Sequence, residues 1–309
     1  EFSAVYKLLK KCLICKQELT NKELITSSIY GDTSKKKKFY KCKSCEVIFQ
    51  EPYFTKKQEL KFYQKEFEKF MSSRSGVNGG WENATNHIKS NNNTYHRRIK
   101  FLKKNLKSKQ DVLEIGCSSG FMLFPLIKKN INCFGVEPSL VFYNFLKKKK
   151  IKVFKSLDSL KKNYPDQKFD IIMHFFVLEH IADPKNFFLE QLKLLKKNGK
   201  IILEVPCYSD ALYTLYNIKS FQKFYWSLVH PWYFNMKSLK ILLDQINVKY
   251  KIKYHQRYSI ANHLTWATKG KPGSSKTLEN LLGDKINNIY KKKLQNSGFA
   301  DTLIAEISK

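Results

Sequence analysis

Four of the seven cysteines fall in two pairs of identical spacing, Cys12-Leu-Ile-Cys15 and Cys42-Lys-Ser-Cys45. Two residues between thiols let both sulfurs of a knuckle face one ion, and two knuckles complete a tetrahedral site. The chemistry expected of Cys12, Cys15, Cys42 and Cys45 is zinc binding with a full coordination shell, hence structural or recognition work rather than catalysis. Lys11, Lys16, Lys41 and Lys43 flank the pairs and offset the net charge of four thiolates on Zn²⁺. Disulfides are the alternative. No stretch resembles a signal peptide, although the chain opens on Glu1 rather than Met, and a cytoplasmic protein keeps such thiols reduced. Cys117, Cys133 and Cys207 have no such spacing and read as buried small side chains.

A second constellation is Glu114-Ile-Gly116-Cys117-Ser118-Ser-Gly120, which follows an apolar run and opens an apolar helix. Gly116 lets the chain turn sharply and Gly120 permits close approach to a ligand. Glu137 ends the next apolar run, where a carboxylate can accept both hydroxyl hydrogens of a ribose. A dinucleotide fingerprint would need glycine at 118 and 121, and these positions hold Ser118 and Phe121. Three histidines compete as proton acceptors. They are His180 beside Glu179, His230 within Trp226-Ser-Leu-Val-His230-Pro-Trp-Tyr233-Phe234, and His263 in the Asn262-His263 pair.

The elements that must position these groups follow from the hydrophobic pattern. Phe39-Tyr40 leads into the second knuckle and Val47-Ile-Phe49 leaves it, as in a ribbon hairpin ended by Glu51-Pro52-Tyr53. Thr55 to Phe70 has helical spacing, residues 72–94 are polar and Gly/Asn-rich like a loop or lid, and Tyr95 to Leu106 is helical again, with Ile99, Leu102 and Leu106 on one side. Strands are then expected at 111–115, 132–136, 151–154, 170–173 and 200–205, with helices at 120–130, 139–149 and 184–197. Such alternation, with few polar positions in the strands, predicts an α/β, doubly wound Rossmann-like parallel sheet. The domain reading is 1–54 zinc ribbon, 55–108 helical linker or lid, 109–207 nucleotide-type core, and 208–309 aromatic insertion and C-terminal substrate region.

The acid two residues before the first glycine resembles the first motif of class I S-adenosylmethionine (SAM)-dependent methyltransferases. The resemblance implies that Glu114 helps position the methionine part and Glu137 the ribose, with the family's middle glycine replaced by Ser118. It extends to Phe169 through Pro184, whose Leu178-Glu179-His180-Ile-Ala-Asp183-Pro184 tail is similar to the family's fourth-strand motif. It also implies cofactor contacts from Gly116, Cys117, Gly120, Ser156, Leu157 and His174. The four-cysteine ribbon is similar to a subgroup that methylates sugars, often in surface-polysaccharide pathways. That implies a small-molecule acceptor, a nucleotide-linked sugar or glycan precursor.

His230 matches the last histidine of a Tyr-His-Glu-His stretch in sugar C-methyltransferases of that subgroup. Here the preceding positions are Ser227, Leu228 and Val229. Carbon methylation must hold an enolate and calls for several polar groups, so O-methylation is favoured, with His230, His180 and Glu179 as the candidate catalytic groups. Glu179, His180 and Asp183 holding Mg²⁺ is a rival device. Arg257 reads as a phosphate or carboxylate clamp, with Tyr258, Asn262, His263 and Tyr233 as substrate-orienting groups. The competing reading of Arg257 through Trp266 is an ordinary amphipathic strand. The aromatic run from Tyr208 to Phe234 suits sugar stacking, a homodimer interface or plain core.

Composition limits the alternatives. Lys and Arg total 57 against 26 acids, a formal +31, yet only Arg74, Arg97, Arg98 and Arg257 are arginines. Nucleic-acid readers favour the bidentate guanidinium, so the charge reads as a lysine-rich surface. An RNA-directed methyltransferase is the rival from another class, and a SAM-fold scaffold without turnover a third. No apolar run approaches the roughly 18 residues of a membrane span.

Overall fold

The computed structural model describes residues 9–52, 62–64, 66–75 and 80–309. The helix read over Thr55 to Phe70 is therefore described only from residue 62. Tyr53, Gly76 and Gly79 lie outside the described residues.

Two sheets organise the chain. The first contains β1 (Glu23–Thr26), β2 (Lys38–Lys41), β3 (Ile48–Glu51) and β9 (Trp232–Tyr233), in the order β1-β2-β3-β9. The second contains β4 (Asp111–Ile115), β5 (Asn132–Val136), β6 (Lys152–Phe154), β7 (Phe169–Phe175), β8 (Leu195–Pro206), β10 (Lys249–His255) and β11 (Thr302–Ser308). Its order is β10-β11-β8-β7-β4-β5-β6, and β4 pairs in parallel with β5 and β7. This is the mostly parallel Rossmann-like sheet that the strand–helix alternation predicts. Helices cover both faces of such a sheet, so its strands read as apolar runs without alternation; Val112, Leu113, Ile171 and Ile172 are all buried. Val112, Cys117, Leu123, Leu146, Met173 and Phe175 belong to one core cluster.

Differences from the sequence reading have local causes. The stretch 72–94 carries helix to Ser75, a helix Ala84–Ser90 capped by the Asn83 side chain, and a further helix Asn92–Leu102. Asparagine there acts as a cap, a role its preference for loops disguises. The stretch 257–266 is a helix from Ile260 and not a strand: Ser259 caps its start and Gly270, at φ +62°, ends it in the left-handed conformation. The C-terminal region also returns to the large sheet as β10 and β11.

Contacts divide the chain into two compact units. One comprises Glu1–Tyr53, Leu178–Lys185 and Glu204–Ala305; the other comprises Phe54–Val177, Asn186–Leu203 and Glu306–Lys309. The ribbon thus shares a unit with the aromatic insertion, and the glycine loop belongs to the other. Among the described residues no helix is long and apolar enough to cross a membrane.

Candidate active site

In the unit that holds the glycine loop, β4 delivers Glu114 and then turns at Gly116, whose φ is +71°. A Cβ there would lie 2.6 Å from Val177 Cγ2, so only glycine fits both the backbone angle and the space. Ser118 keeps the left-handed bend at φ +44° even though the family's glycine is missing. Such strain in a non-glycine residue is characteristic of ligand-binding loops. Gly120, at φ +76°, closes the loop against Leu146.

Glu137 turns towards this loop. One carboxylate oxygen accepts from the Ser118 N–H at 2.6 Å and the other from the Ser139 N–H at 2.8 Å. Each oxygen retains a lone pair for a hydroxyl donor. Burial pushes Glu137 up to about 7 against those two N–H donors, and Glu68 adds to the rise. The Ser139 hydroxyl in turn donates to Glu68. Glu114 is 2% exposed, and one of its oxygens has no hydrogen-bond partner among the described residues. Burial pushes it up to about 8, with Arg98 opposing and Glu137 reinforcing. Burial therefore favours the protonated carboxyl, and a cationic group of a ligand would favour its ionised form.

Two residues to which the sequence reading gives no site role join this region. His87 hydrogen-bonds Ser119 Oγ through Nδ1 at 2.8 Å, packs 4.7 Å from the Trp81 ring, and is held neutral by burial, which lowers it to about 4. Arg98 is buried, its guanidinium carbon 4.2 Å from the Phe175 ring centre. Its position was legible: Arg98 lies four residues before Leu102 and three after Tyr95, on the apolar stripe of its helix. The remaining expected cofactor residues are spread. Cys117 is buried in the core cluster. Ser156 caps the helix that starts at Leu157. His174 is fully buried against Phe187 and Phe188, lowered to about 3 by that burial, with no partner for either ring nitrogen among the described residues.

In the other unit, the chain passes from β7 into a 3₁₀ turn, Leu178–His180. His180 Nδ1 lies 2.7 Å from the Val229 carbonyl. A carbonyl only accepts, so Nδ1 carries a proton, while Nε2 lies 3.9 Å from Glu179 Oε1. His230 Nδ1 lies 3.2 Å from the Tyr233 hydroxyl, which donates to the Tyr225 carbonyl at 2.5 Å and accepts from the Ser227 N–H. The hydroxyl proton is committed, so His230 Nδ1 donates to the hydroxyl oxygen. The two imidazole rings sit 4.7 Å apart, edge to face. Glu179 is 1% exposed and pushed up to about 8 by burial. One donor atom each from Glu179, His180 and His230 lies within 4.8 Å of the others, a set that could hold a cation; Asp183 is not in it.

Arg257 and His263 join one network through Asp301 and Gln256, and the Arg257 charge also acts on Glu179. Asp301, 2% exposed, accepts from Arg257 Nε at 3.0 Å and from the backbone N–H groups of Arg257 and Tyr258. His263 uses both ring nitrogens, one towards the Tyr290 hydroxyl at 2.7 Å and one towards the Gln256 amide at 3.3 Å. Asn262 donates to the Gly273 carbonyl. Tyr233 is buried and its hydroxyl fully engaged, whereas Tyr258 is 43% exposed. Among the run from 208 to 234, Phe221, Trp226, Trp232, Tyr233 and Phe234 are core.

In the ribbon, Cys12 and Cys45 sulfurs lie 3.6 Å apart and those of Cys15 and Cys42 3.7 Å apart. A tetrahedral ion with metal–sulfur bonds of about 2.3 Å spaces its ligands at about 3.8 Å, whereas a disulfide would need about 2.05 Å. All four sulfurs lie within 4.8 Å of one another and are free thiols.

The parallel sheet, the glycine-hinged bend after β4 and the paired carboxylates Glu114 and Glu137 define a SAM-dependent methyltransferase. The sequence matches the family described as "Methyltransferase domain" over residues 87–250, more than half of the chain, and the protein belongs to that family. A SAM-dependent methyltransferase from Archaeoglobus fulgidus shares the fold, with a TM-score of 0.50 and 20% identity, covering 79% of this chain and 100% of that one. Among curated relatives, the chain is 29% identical to "Ubiquinone biosynthesis O-methyltransferase" of Pelagibacter ubique over 44% of its own length and 62% of that protein's. It is 32% identical to "Phosphoethanolamine N-methyltransferase 1" of Arabidopsis thaliana over 35% of its length and 23% of that protein's. The chain therefore spans less than two thirds of either relative.

Proposed function

We propose that this enzyme methylates a hydroxyl group of a small molecule, with a sugar hydroxyl the first acceptor class to test. What supports the hydroxyl assignment is the pair of imidazoles at 4.7 Å, with His180 Nδ1 facing the Val229 carbonyl and His230 Nδ1 facing the Tyr233 hydroxyl. SAM supplies the methyl group and a sulfide leaving group in an in-line displacement. Glu137 holds the ribose hydroxyls, Glu114 faces the cationic amino-acid end, and the bend at Gly116 excludes a side chain from their place. His230 Nε2 takes the acceptor's proton, with His180 and Glu179 beside it, as a general base must when an alcohol becomes an ether. Carbon methylation is disfavoured because Leu228 and Val229 put no polar groups before His230. Arg257, Tyr258, Asn262 and His263 border the acceptor end. The four thiolates bind structural zinc, which their spacing supports.

A panel should combine nucleotide sugars with a phenol and with phosphoethanolamine, the last two suggested by the relatives' names. Transfer to sugar oxygen supports the assignment. Transfer only to a phenol or an amine overturns the sugar reading and leaves the methyltransferase intact. The cluster at 4.8 Å favours one second reading, in which a divalent cation at Glu179, His180 and His230 activates the hydroxyl. Turnover that survives exhaustive chelation excludes it.

A further inference from the structure

His230 sits on a loop whose flanks are tied to the four-cysteine ribbon. Before it, the Tyr30 N–H donates to the Trp226 carbonyl at 2.7 Å and the Leu228 N–H to the Tyr30 carbonyl at 3.0 Å. After it, Phe49 pairs with Trp232 and Ile48 with Tyr233, so the insertion contributes the last strand of the ribbon's own sheet. Phe39 packs on both Trp226 and Tyr233.

One ribbon residue holds both flanks. The backbone N–H of Gln50 donates to the Pro231 carbonyl at 2.9 Å, and its side-chain amide donates to the Leu228 carbonyl at 3.1 Å. The amide's orientation is fixed by chemistry. Lys37 Nζ lies 2.9 Å from the Gln50 side chain and 2.7 Å from the Pro52 carbonyl. An ammonium can only donate, so the oxygen of the amide faces Lys37 and its NH₂ faces Leu228. Gln50 is 1% and Lys37 8% exposed, so water does not compete at this junction. A buried lysine has little reason to stand here unless it fixes a polar partner.

We infer that the ribbon is a positioning element for His230 and that Gln50 is the positioning residue, spanning the loop from Leu228 to Pro231. The role of the thiolate site is then to keep β2 and β3 in register beneath the loop, so metal in the ribbon sets the ring orientation of a histidine far from it in sequence. The tether continues to His180, whose Nδ1 bonds the carbonyl of Val229 between those two anchors. The inference deepens the proposed base role of His230.

The test uses the zinc-loaded full chain with ¹⁵N-labelled histidine, and reads side-chain tautomers by long-range ¹H–¹⁵N correlation, with His230→Gln assigning the signal. Gln50→Glu keeps the β3 backbone and the contact with Lys37 but removes the donor to Leu228. The expected result is a His230 signal that leaves the Nδ1–H tautomer or splits, while His87 and His174 keep theirs and SAM titration gives an affinity within about twofold of wild type. Gln50→Ala and zinc stripped by a chelator should give the same selective change. An unchanged His230 tautomer in both Gln50 variants overturns the inference, and so does a change shared equally by His87 and His174, which marks general loosening. Should His230→Gln still methylate an acceptor, the base role fails while the tautomer result stands by itself.

Discussion

The two units build their sites in different ways. Around Glu114, Gly116 and Glu137 the geometry is set by backbone: consecutive strand ends, left-handed φ angles, and the N–H groups of Ser118 and Ser139, 19 and two residues from the Glu137 carboxylate they bond. Around His180 and His230 it is set by side chains and carbonyls drawn from distant segments, such as Gln50 and Leu228, 178 residues apart. A site of the first kind tolerates sequence change around it but not at its hinge. One of the second kind depends on every segment that contributes an anchor. The electrostatics differ too: Glu137 is bonded by backbone N–H groups and Glu114 feels the Arg98 charge, whereas Arg257 and Asp301 are bonded to each other.

That contrast can be broken in four ways, taken from the largest expected effect. Cys42→Ser should abolish stoichiometric zinc, measured by elemental analysis, while leaving SAM affinity within about threefold, because structural zinc supplies folding free energy only to the part that binds it. A parallel loss of SAM binding would erase the distinction. Gly116→Arg should reduce SAM affinity at least about a hundredfold by calorimetry, since strain at φ +71° and the Val177 clash act together. The tautomers of His180 and His230 should not respond.

Next, Asp301→Asn should cost about 2–3 kcal/mol in urea unfolding, as a buried charge pair loses one partner. The value is set below that for a fully buried pair because the Arg257 side chain is 24% exposed. A cost under about 0.5 kcal/mol would mean that the Arg257 network is not structural.

The smallest effect is on pH. Burial raises Glu114 to about 8 and Glu137 to about 7, so the ligand-free protein holds protons there that the unfolded chain sheds near 4.5. Their contribution to stability is present below that value and is lost as pH rises towards 7–8. A cationic ligand favours the ionised form, so SAM affinity should rise several-fold from pH 6 to pH 8, with protons released on binding. Calorimetry in buffers of different ionisation enthalpy checks the sign; proton uptake would contradict the assignment of Glu114.

The legibility of the two sites follows the same division. β4 and β5 carry the boundaries their apolar runs predict, with Glu114 inside β4, Gly116 directly after it and Glu137 directly after β5. His87 escaped because asparagine-rich sequence around it reads as loop until the Asn83 cap is seen. β10 was legible in principle, since Lys249-Tyr-Lys-Ile-Lys-Tyr-His255 alternates with a period of two. The helix at Ile260–Lys269 turns on one capping serine and one glycine, small signals beside the aromatic residues that invite a strand assignment.

What the chain determined by itself is whatever short-range backbone chemistry fixes: the alternation of strands and helices, the glycine hinge, and the matched spacing of four thiols. Tertiary structure decided which histidines meet, which oxygen each Nδ1 faces, and that a ribbon glutamine spans the loop of one of them. Those outcomes depend on hydrogen bonds closed across long stretches of chain, and a bond of that kind leaves no period or spacing in the sequence to be read.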